Sequence, residues 1–368
     1  MSVPARLADS GLPFELASFS ALDRYFGRPT GRQIYVVTPS GLVELAKAFP
    51  DLGFTPVDRH DARLEADDRS VYIRCEVDEN PGAPVAFPIL DFYFNPVRES
   101  YRDPSGVYGL LREQQLPAPS PDATALGALV DAARLVSRYH YSLPPASGPG
   151  ALPSIEVFPK LPNELERMLL TDVLTGMFPW KGLALLKREG FVKAYWPELD
   201  QMDGTGHSKE HHPEGNVWEH SLETFRYRKT TDLVLTLGLL LHDAGKPLAQ
   251  PTKERRFDKH AEIGADLARR LLRRLGFDRL LVDNTVWLVQ NHMYPSAIDS
   301  LPLYRTERLM SSPLFPVLLE LYRCDLSSSY RGPDGYYRAC RVFRRFIKHS
   351  ENPFRHADGR KLVRLYVE

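Results

Sequence analysis

The first third of the chain combines strand patterns with one helical pattern. Residues 33–38 are rich in β-branched and aromatic side chains, and residues 70–77 alternate polar with apolar positions, which is typical of strands. Residues 85–94 are a further strand candidate, whereas the apolar spacing of residues 41–49 predicts a short helix. We therefore expect a mixed α/β domain over about residues 14–111.

A proline-rich stretch at residues 116–121 ends this pattern, and helical spacing follows. Residues 123–140 are helical by periodicity, and residues 143–154 form a loop rich in Pro, Gly and Ser. Further on, apolar residues recur at three- and four-residue steps. The predicted helices are residues 164–174, 180–189, 218–227, 231–241, 261–275, 280–292, 314–326 and 336–349. A mixed N-terminal part is thus followed by an all-α remainder.

Composition narrows the possible functions. A chain of 368 residues can form two or three domains. Lys and Arg number 47, as do Asp and Glu, which argues against a protein that coats nucleic acid but allows a local basic patch. Three cysteines without a CxxC pair favour a reduced, cytoplasmic setting. We see no signal peptide, and the longest apolar run, residues 233–241, is too short for a bilayer, so no membrane partner is expected.

Histidines and aspartates of the helical part are the candidate chemistry. Imidazole nitrogen and carboxylate oxygen bind divalent first-row metals, and six such residues are enough for two ions that share a carboxylate. They are His220, His242, Asp243, His260, His292 and Asp325. His242 and Asp243 end a leucine-rich helix, where burial is costly unless a cation or hydrogen bonds compensate. The alternative to metal binding for this pair is an aspartate that caps the helix beside a hydrogen-bonded core histidine. For the other four residues, the alternative is an ordinary role on the surface or in the core.

The order H…HD…H…H…D resembles the HD-domain superfamily of metal-dependent phosphohydrolases. The resemblance implies one ion bound by the first His, the His-Asp pair and the last Asp, which are His220, His242, Asp243 and Asp325. The two intervening histidines, His260 and His292, would complete a second site. Lys246 falls where the family often places a lysine that faces phosphate, although a solvated cation at a helix C-terminus is the alternative.

These residues would support hydrolysis of a phosphate ester. A bound ion lowers the pKa of its water, and a second ion would hold the phosphoryl and leaving oxygens. Asp243 is the expected bridging carboxylate, and Lys246, with Arg255, Arg256 or Lys259, would neutralise the substrate phosphate. Asp243 and Lys246 are therefore the candidate catalytic residues. One or two divalent ions are expected, and Mn, Ni, Co, Fe and Mg all stay open because a histidine-rich set suits several metals.

A larger part of the chain resembles the bacterial tRNA nucleotidyltransferases (the CCA-adding enzymes) and poly(A) polymerases. The segments that carry the resemblance are residues 91–95, 129–143, 182–191, 212–222 and 317–325. It implies an α+β fold with three parts: a nucleotidyltransferase-like α/β domain in residues 1–115, a helical neck in 116–205 and an HD-domain helical bundle in 206–368.

The residues expected for nucleotide transfer are missing. Transferases of the family hold triphosphate on a Gly-Ser or Gly-Gly turn and bind magnesium with a D-x-D on the next strand. This sequence contains neither glycine pair, and the strand reads Gln33-Ile34-Tyr35. An amide and a phenol are poor ligands for magnesium, which prefers charged oxygen. We therefore expect a degenerate domain without transferase chemistry, in which Glu76 and Asp78 are surface residues.

Two functions compete on these grounds. The first is a phosphatase or phosphodiesterase that acts on a nucleotide or RNA 3′-end phosphate ester, including 2′,3′-cyclic phosphates. The alternative is a non-catalytic RNA- or protein-binding scaffold with a structural metal, against which the complete ligand set argues. Residual nucleotide addition would require Asp23, Glu76, Asp78 or Asp91 to rebuild a magnesium site. Zero net charge and an end at Glu368 predict weak or no binding of a tRNA body, and the oligomeric state stays open.

Overall fold

A computed structural model describes residues 6–7, 9–54, 59–66, 69–76, 85–113, 116–148, 150–206, 215–250, 257–329 and 332–349. The chain divides into two compact units, Met1–Glu189 (unit 1) and Gly190–Glu368 (unit 2). This division falls inside the segment predicted as the neck. The domain limits 1–115, 116–205 and 206–368 stay predictions.

Unit 1 is built on a six-stranded sheet. Its strands are β1 Glu15–Ala17, β2 Gln33–Thr38, β3 Ala62–Ala66, β4 Arg69–Cys75, β5 Tyr93–Asn95 and β6 Ser100–Arg102. Their order in the sheet is β3-β4-β2-β1-β5-β6. β2 pairs with β4 in parallel, and the other neighbours are antiparallel. β2 lies inside the sheet, and all six of its residues are buried.

Six helices belong to the described part of unit 1. They are α1 Ser18–Tyr25, α2 Leu42–Ala48, α3 Tyr108–Glu113, α4 Ala125–Arg138, α5 Asn163–Thr175 and α6 Pro179–Arg188. On one face of the sheet, Ile34, Val36, Val71 and Ile73 form an apolar core with Leu45 of α2. The period-2 pattern of β2 therefore places Gln33 and Tyr35 on the opposite face.

Residues 85–94 differ from the predicted continuous strand. A 3₁₀ turn occupies Pro88–Leu90, and strand pairing begins only at Tyr93–Asn95. Proline lacks a backbone N–H, and its fixed φ suits the first position of a helical turn. Pro88 therefore interrupts an apolar run that the periodicity alone assigned to a strand.

Unit 2 is helical throughout its described part. Its helices are α7 Phe191–Tyr195, α8 Pro197–Asp200, α9 Val217–Thr224, α10 Leu233–Leu241, α11 His260–Arg274, α12 Arg279–Asn291, α13 Tyr294–Ala297, α14 Leu303–Met310, α15 Phe315–Ser327 and α16 Asp334–His349. α10 is apolar on all sides, buried at every position but Val234, and packs on α9, α12 and α15. A helix without a polar face takes the centre of a bundle. The predicted α+β fold, with a sheet domain before a helical part, is confirmed.

Across the described ranges, no helix combines the length and apolar character needed to cross a membrane. All three cysteines, Cys75, Cys324 and Cys340, belong to the described part, are buried and form no disulfide.

Candidate metal centre

Five helices of unit 2 bring the six predicted ligands together. The residues are His220 in α9, His242 and Asp243 directly after α10, His260 at the start of α11, His292 directly after α12 and Asp325 in α15. The central helix α10 ends among them, and α9, α12 and α15 all pack on it, while α11 packs on α12. The apolar character of α10 therefore places the His-Asp pair in the middle of the set.

His220, His242 and Asp325 form the first ligand group. Nε2 of His220 lies 3.0 Å from Oδ1 of Asp325 and 3.4 Å from Nε2 of His242. Nε2 of His242 lies 3.9 Å from the same carboxylate oxygen. The three ligand atoms are within 4.8 Å of one another. That spacing suits one ion held at metal–ligand distances of about 2.0–2.2 Å.

Asp243, His260 and His292 form the second ligand group. Nε2 of His260 lies 3.2 Å from Nε2 of His292. Oδ1 of Asp243 lies 3.6 Å from Nε2 of His260 and 3.7 Å from Nε2 of His292. These three atoms also lie within 4.8 Å of one another. Within the described ranges, the two groups are the only sets of three or more His, Cys, Asp or Glu ligands this close.

Asp243 stands between the two groups. Its Oδ1 faces His260 and His292, while its Oδ2 lies 3.4 Å from Nε2 of His242 and 3.8 Å from Nε2 of His220. One carboxylate thus presents a different oxygen to each group, which is the arrangement of a ligand that bridges two ions.

Backbone carbonyls hold three of the imidazole rings. Nδ1 of His242 lies 2.9 Å from the Leu239 oxygen. The same contact with the carbonyl oxygen three residues earlier occurs twice more. Nδ1 of His260 lies 2.8 Å from the Phe257 oxygen, and Nδ1 of His292 lies 2.7 Å from the Val289 oxygen. A carbonyl oxygen only accepts, so each Nδ1 carries the proton and each Nε2 keeps its lone pair. Carbonyl partners of this kind orient metal-binding histidines.

The ligand nitrogens fit a cation. Nε2 atoms of His260 and His292 face each other at 3.2 Å, and two lone pairs cannot form a hydrogen bond with each other. An ion between them would satisfy both, and the donor set of imidazoles and carboxylates is that of divalent first-row metals. The residues present therefore fit a metal centre.

Burial and neighbouring charges keep these groups in the protonation state that metals require. Burial, with His242 nearby, lowers the pKa of the His292 imidazole to about 3, and burial also lowers the pKa of His242. Burial alone would raise the pKa of the Asp243 carboxyl, but the Lys246 ammonium holds it well below its ordinary value. Burial likewise opposes ionisation of Asp325, yet the His220 hydrogen bond lowers the pKa of that carboxyl. Neutral imidazoles and ionised carboxylates are the metal-binding forms.

Gly245 allows the second group to assemble. A Cβ at this position would collide with the carbonyl oxygen of His260 and lie 2.5 Å from the backbone nitrogen of Gly264. The turn after Asp243 therefore lies directly against the first turns of α11, where His260 sits. The sequence shows Gly245 as a helix-ending residue, but its role in this close approach requires the structure.

A cavity of about 650 Å³ opens at both ligand groups. Asp243, His260, His292 and Asp325 contribute to its wall. The candidate lysines Lys246 and Lys259 also line it. Nζ of Lys246 lies 2.5 Å from Oδ2 of Asp243 and 5.5 Å from the centre of the Phe257 ring. The structure thus places two cations beside the ligands; Arg255 and Arg256 lie outside the described residues.

Aromatic residues in the cavity wall were missed at the level of sequence. Phe257, Tyr294 and Tyr322 line the cavity with the ligands. Tyr294 lies two positions after His292 and Tyr322 lies three before Asp325, so proximity in sequence was an available signal. Aromatic helix positions usually belong to a core, which is why periodicity did not separate these two.

Comparison with known proteins agrees with this geometry. Residues 217–323 match the family model described as the HD domain. The CC-adding tRNA nucleotidyltransferase of Thermus thermophilus is 35% identical over 189 residues, 48% of this chain and 40% of that protein. The A-adding tRNA nucleotidyltransferase of Deinococcus radiodurans is 31% identical over 161 residues, 42% of this chain and 36% of that protein. About half of this chain is thus similar in sequence to tRNA nucleotidyltransferases, and residues 217–323 match the HD domain. The resemblance predicted from the sequence is confirmed at this level.

The likeness has defined limits. The matched segments span less than half of each of these relatives. Asp325 lies just beyond the stretch matched to the HD domain. Among solved structures, the Bacillus stearothermophilus CCA-adding enzyme in complex with CTP is similar with a TM-score of 0.49 and 14% identity, covering 95% of this chain and 83% of that chain.

Outside the HD domain, the strand that carries Gln33 and Tyr35 holds a buried polar cluster. Nε2 of Gln33 donates to the Met168 carbonyl at 3.1 Å. The Tyr35 hydroxyl lies 2.6 Å from Oδ2 of Asp172 and 2.7 Å from Oε1 of Gln33. Burial, followed by the Asp172 charge, raises the pKa of the Tyr35 hydroxyl well above its ordinary value, so Tyr35 stays neutral.

Arg138 links this cluster to Asp23. Its Nη1 donates to Oδ1 of Asp172 at 2.8 Å, and its Nη2 donates to Oδ2 of Asp23 at 2.5 Å. The Tyr139 hydroxyl donates to Oδ1 of Asp23 at 2.9 Å, and Nε of Arg134 lies 3.3 Å from Oδ2 of Asp172. Both aspartates are therefore neutralised by arginines of α4 that sequence reasoning did not identify.

Asp91 and Glu76, which were also considered for a magnesium site, have other partners. Asp91 accepts hydrogen bonds from the hydroxyls of Tyr93 and Ser105 at 2.7 and 2.8 Å. Glu76 lies 3.3 Å from Arg102. Asp78 lies outside the described residues. The structure does not bring Asp23, Glu76 and Asp91 together as a ligand group.

Proposed function

We propose that this chain is a metal-dependent phosphohydrolase whose HD domain holds two divalent ions. The observation that carries the proposal is the position of Asp243, with one carboxylate oxygen toward His220 and His242 and the other toward His260 and His292. A site that held a single structural ion would not need a second complete ligand group.

The residues of the centre have separate tasks. His220, His242 and Asp325 would hold one ion, His260 and His292 the other, and Asp243 both. Ions bound there would supply acidified water and would neutralise charge on the phosphoryl group. Lys246 lies beside Asp243 and faces the cavity, so its ammonium can pair with a phosphate oxygen of the substrate. Carbonyl partners on Nδ1 keep the imidazole rings aimed at the centre.

The substrate proposed is a phosphate ester of a nucleotide or an RNA 3′ end, including 2′,3′-cyclic phosphates. Support comes from the cavity of about 650 Å³, a size that suits a small-molecule ligand, and from aromatic residues in its wall. Mn, Ni, Co, Fe and Mg all suit the ligand set. The same proposal includes weak binding of a tRNA body, on the ground of zero net charge. It also includes a cytoplasmic location, on the ground of three cysteines without disulfides.

Metal analysis combined with an activity screen tests the proposed function. The purified chain should contain two divalent ions and should hydrolyse phosphate monoesters or diesters, with 2′,3′-cyclic nucleotides included in the screen. Removal of metal by a chelator should abolish hydrolysis, and added manganese should restore it. Hydrolysis that survives complete removal of metal would refute the proposal.

Replacement of the second ligand group tests whether the centre is dinuclear. His260→Ala and His292→Ala should each reduce the metal content to about one ion per chain, because each removes an imidazole used only by the second group. His140→Ala, an exposed histidine of unit 1, is the matched control and should retain two ions. An unchanged content in both site variants would indicate a mononuclear centre.

We also propose that nucleotidyl transfer is absent. The polar cluster supports this, because an amide and a phenol replace the expected carboxylates, and Asp23 and Asp172 are paired with Arg138 in a buried site. Incubation with magnesium, labelled ATP or CTP and an RNA primer should give no extension product. A CCA-adding enzyme in the same buffer is the positive control, and template-independent extension by this chain would contradict the proposal.

A further inference from the structure

Helix α16 carries a dense row of positive charge in a protein of zero net charge. Its exposed cations recur at three- and four-residue steps: Arg338, Arg341, Arg344, Arg345 and Lys348. The sequence contains no acidic residue between Gly335 and His349. Residues at these steps share one helix face, so the row extends over about 15 Å.

The opposite face of α16 is already used for folding. Tyr336, Ala339, Cys340, Phe343 and Phe346 are buried, and the helix packs on α13, α14 and α15. An amphipathic helix that binds lipid needs its apolar face free to enter the bilayer. Among the residues that the structure describes, the cationic face of α16 is the exposed one, so a partner that binds this helix would be recognised by charge.

The row begins beside the wall of the metal cavity. Nε of Arg338 lies 3.4 Å from Oδ2 of Asp299, and Asp299 lies between Ala297 and Leu301, which both line the cavity. Arg338 is thus joined by an ion pair to the segment that lines the cavity, and the other cations of the row follow it along α16. Asp299 pairs with Arg338, and Asp334 is the first residue of the helix.

We propose that the exposed face of α16 binds the phosphate backbone of a single-stranded nucleic acid whose terminal phosphate enters the metal cavity. The inference rests on the proposed hydrolase function and narrows its substrate from a nucleotide to the end of a polynucleotide. A single phosphate needs only the cations inside the cavity, whereas a row of cations outside it matches a chain of phosphates. Tyr337, half exposed at the start of the row, offers a ring on which a base can stack.

The test measures binding of a fluorescein-labelled single-stranded RNA by fluorescence anisotropy. The RNA has about 20 nucleotides, which is longer than a typical binding site for single-stranded nucleic acid. The variant Arg341→Glu/Arg345→Glu/Lys348→Glu should bind about tenfold or more weakly. Its slope of log affinity against log salt should be smaller by about 2, because three phosphate contacts at about 0.7 each are lost. The same measurement is made with single-stranded DNA of the same sequence. Whichever polymer binds more tightly is identified as the natural ligand, and either result supports nucleic-acid binding by the exposed face of α16.

The control variant Arg270→Glu/Arg273→Glu/Arg279→Glu changes the same net charge at exposed positions of α11 and α12 and should bind within about twofold of the wild type. An equal loss in both variants, no RNA binding by the wild type, or stronger binding to phosphatidylglycerol vesicles than to RNA would overturn the inference.

Hydrolysis of bis(p-nitrophenyl) phosphate separates this inference from the proposed function. All three proteins should hydrolyse this small ester equally, because it does not reach α16. Hydrolysis without RNA binding through α16 would refute the binding face alone. RNA binding through α16 without hydrolysis of any ester would refute the hydrolase and leave the face in place.

Discussion

Asp243→Ala is expected to remove the ion of the second ligand group, to weaken binding of the other ion and to reduce phosphohydrolase activity at least about a thousandfold. Each oxygen of Asp243 faces one ligand group. Its loss leaves two neutral imidazoles for the second ion, while His220, His242 and Asp325 stay in place for the first ion without the bridging carboxylate. A metal centre contributes several kcal/mol to a hydrolytic transition state, and about 4 kcal/mol corresponds to about a thousandfold in rate.

The measurement combines metal content with the rate of ester hydrolysis by the wild type and the variant. Asp266→Ala, an exposed aspartate of α11, is the matched control and should keep two ions and full activity. Far-ultraviolet circular dichroism confirms that each protein is folded. Asp243→Asn is the second variant: it keeps the volume but not the charge, and it should also lose metal. Two ions and undiminished activity in Asp243→Ala would remove this residue from the mechanism.

Arg138→Met is expected to destabilise unit 1 by about 3–5 kcal/mol. Arg138 is 6% exposed and donates to both Asp23 and Asp172, which are 3% and 1% exposed. Removing one partner of a buried ion pair leaves uncompensated buried charge, which costs more than the pair itself contributes. Arg134 remains near Asp172 but does not replace the contact with Asp23.

Urea unfolding of the full chain, followed by fluorescence, measures this effect as the change in midpoint multiplied by the m-value. Arg188→Met is the control, because Arg188 and Glu189 form a more exposed pair at 2.7 Å, and a pair of that kind contributes about 1 kcal/mol or less. The metal content of Arg138→Met should equal that of the wild type. A loss below about 1 kcal/mol would show that the cluster is not a major source of stability.

These two variants test the two units of the chain separately. In the HD domain, every member of the ligand set is present and the groups converge. In unit 1, the face of β2 opposite the apolar core carries Gln33 and Tyr35, and their polar atoms are bound to α5. A cluster whose donors and acceptors already satisfy one another leaves few lone pairs for magnesium.

The fold was largely predictable because its signals are local. The six residues of β2 and the apolar run of α10 were recognised from periodicity at residues 33–38 and 231–241, since side-chain spacing reports which faces are buried. The strand predicted at residues 85–94 was wrong over residues 85–92, because Pro88 starts a turn that hydrophobicity alone does not reveal. The six candidate ligands were named from their residue types and their order along the chain.

The sequence by itself determined the candidate ligands, the apolar helix that carries His242 and Asp243, and the amide and phenol side chains of Gln33 and Tyr35. Only the tertiary structure decided that His220 lies with His242 and His260 with His292, and that Asp243 stands between them. The same holds for Arg138, which contacts an aspartate 115 positions away. Periodicity specifies which face of an element is buried, but the partner across that face depends on how the helices pack.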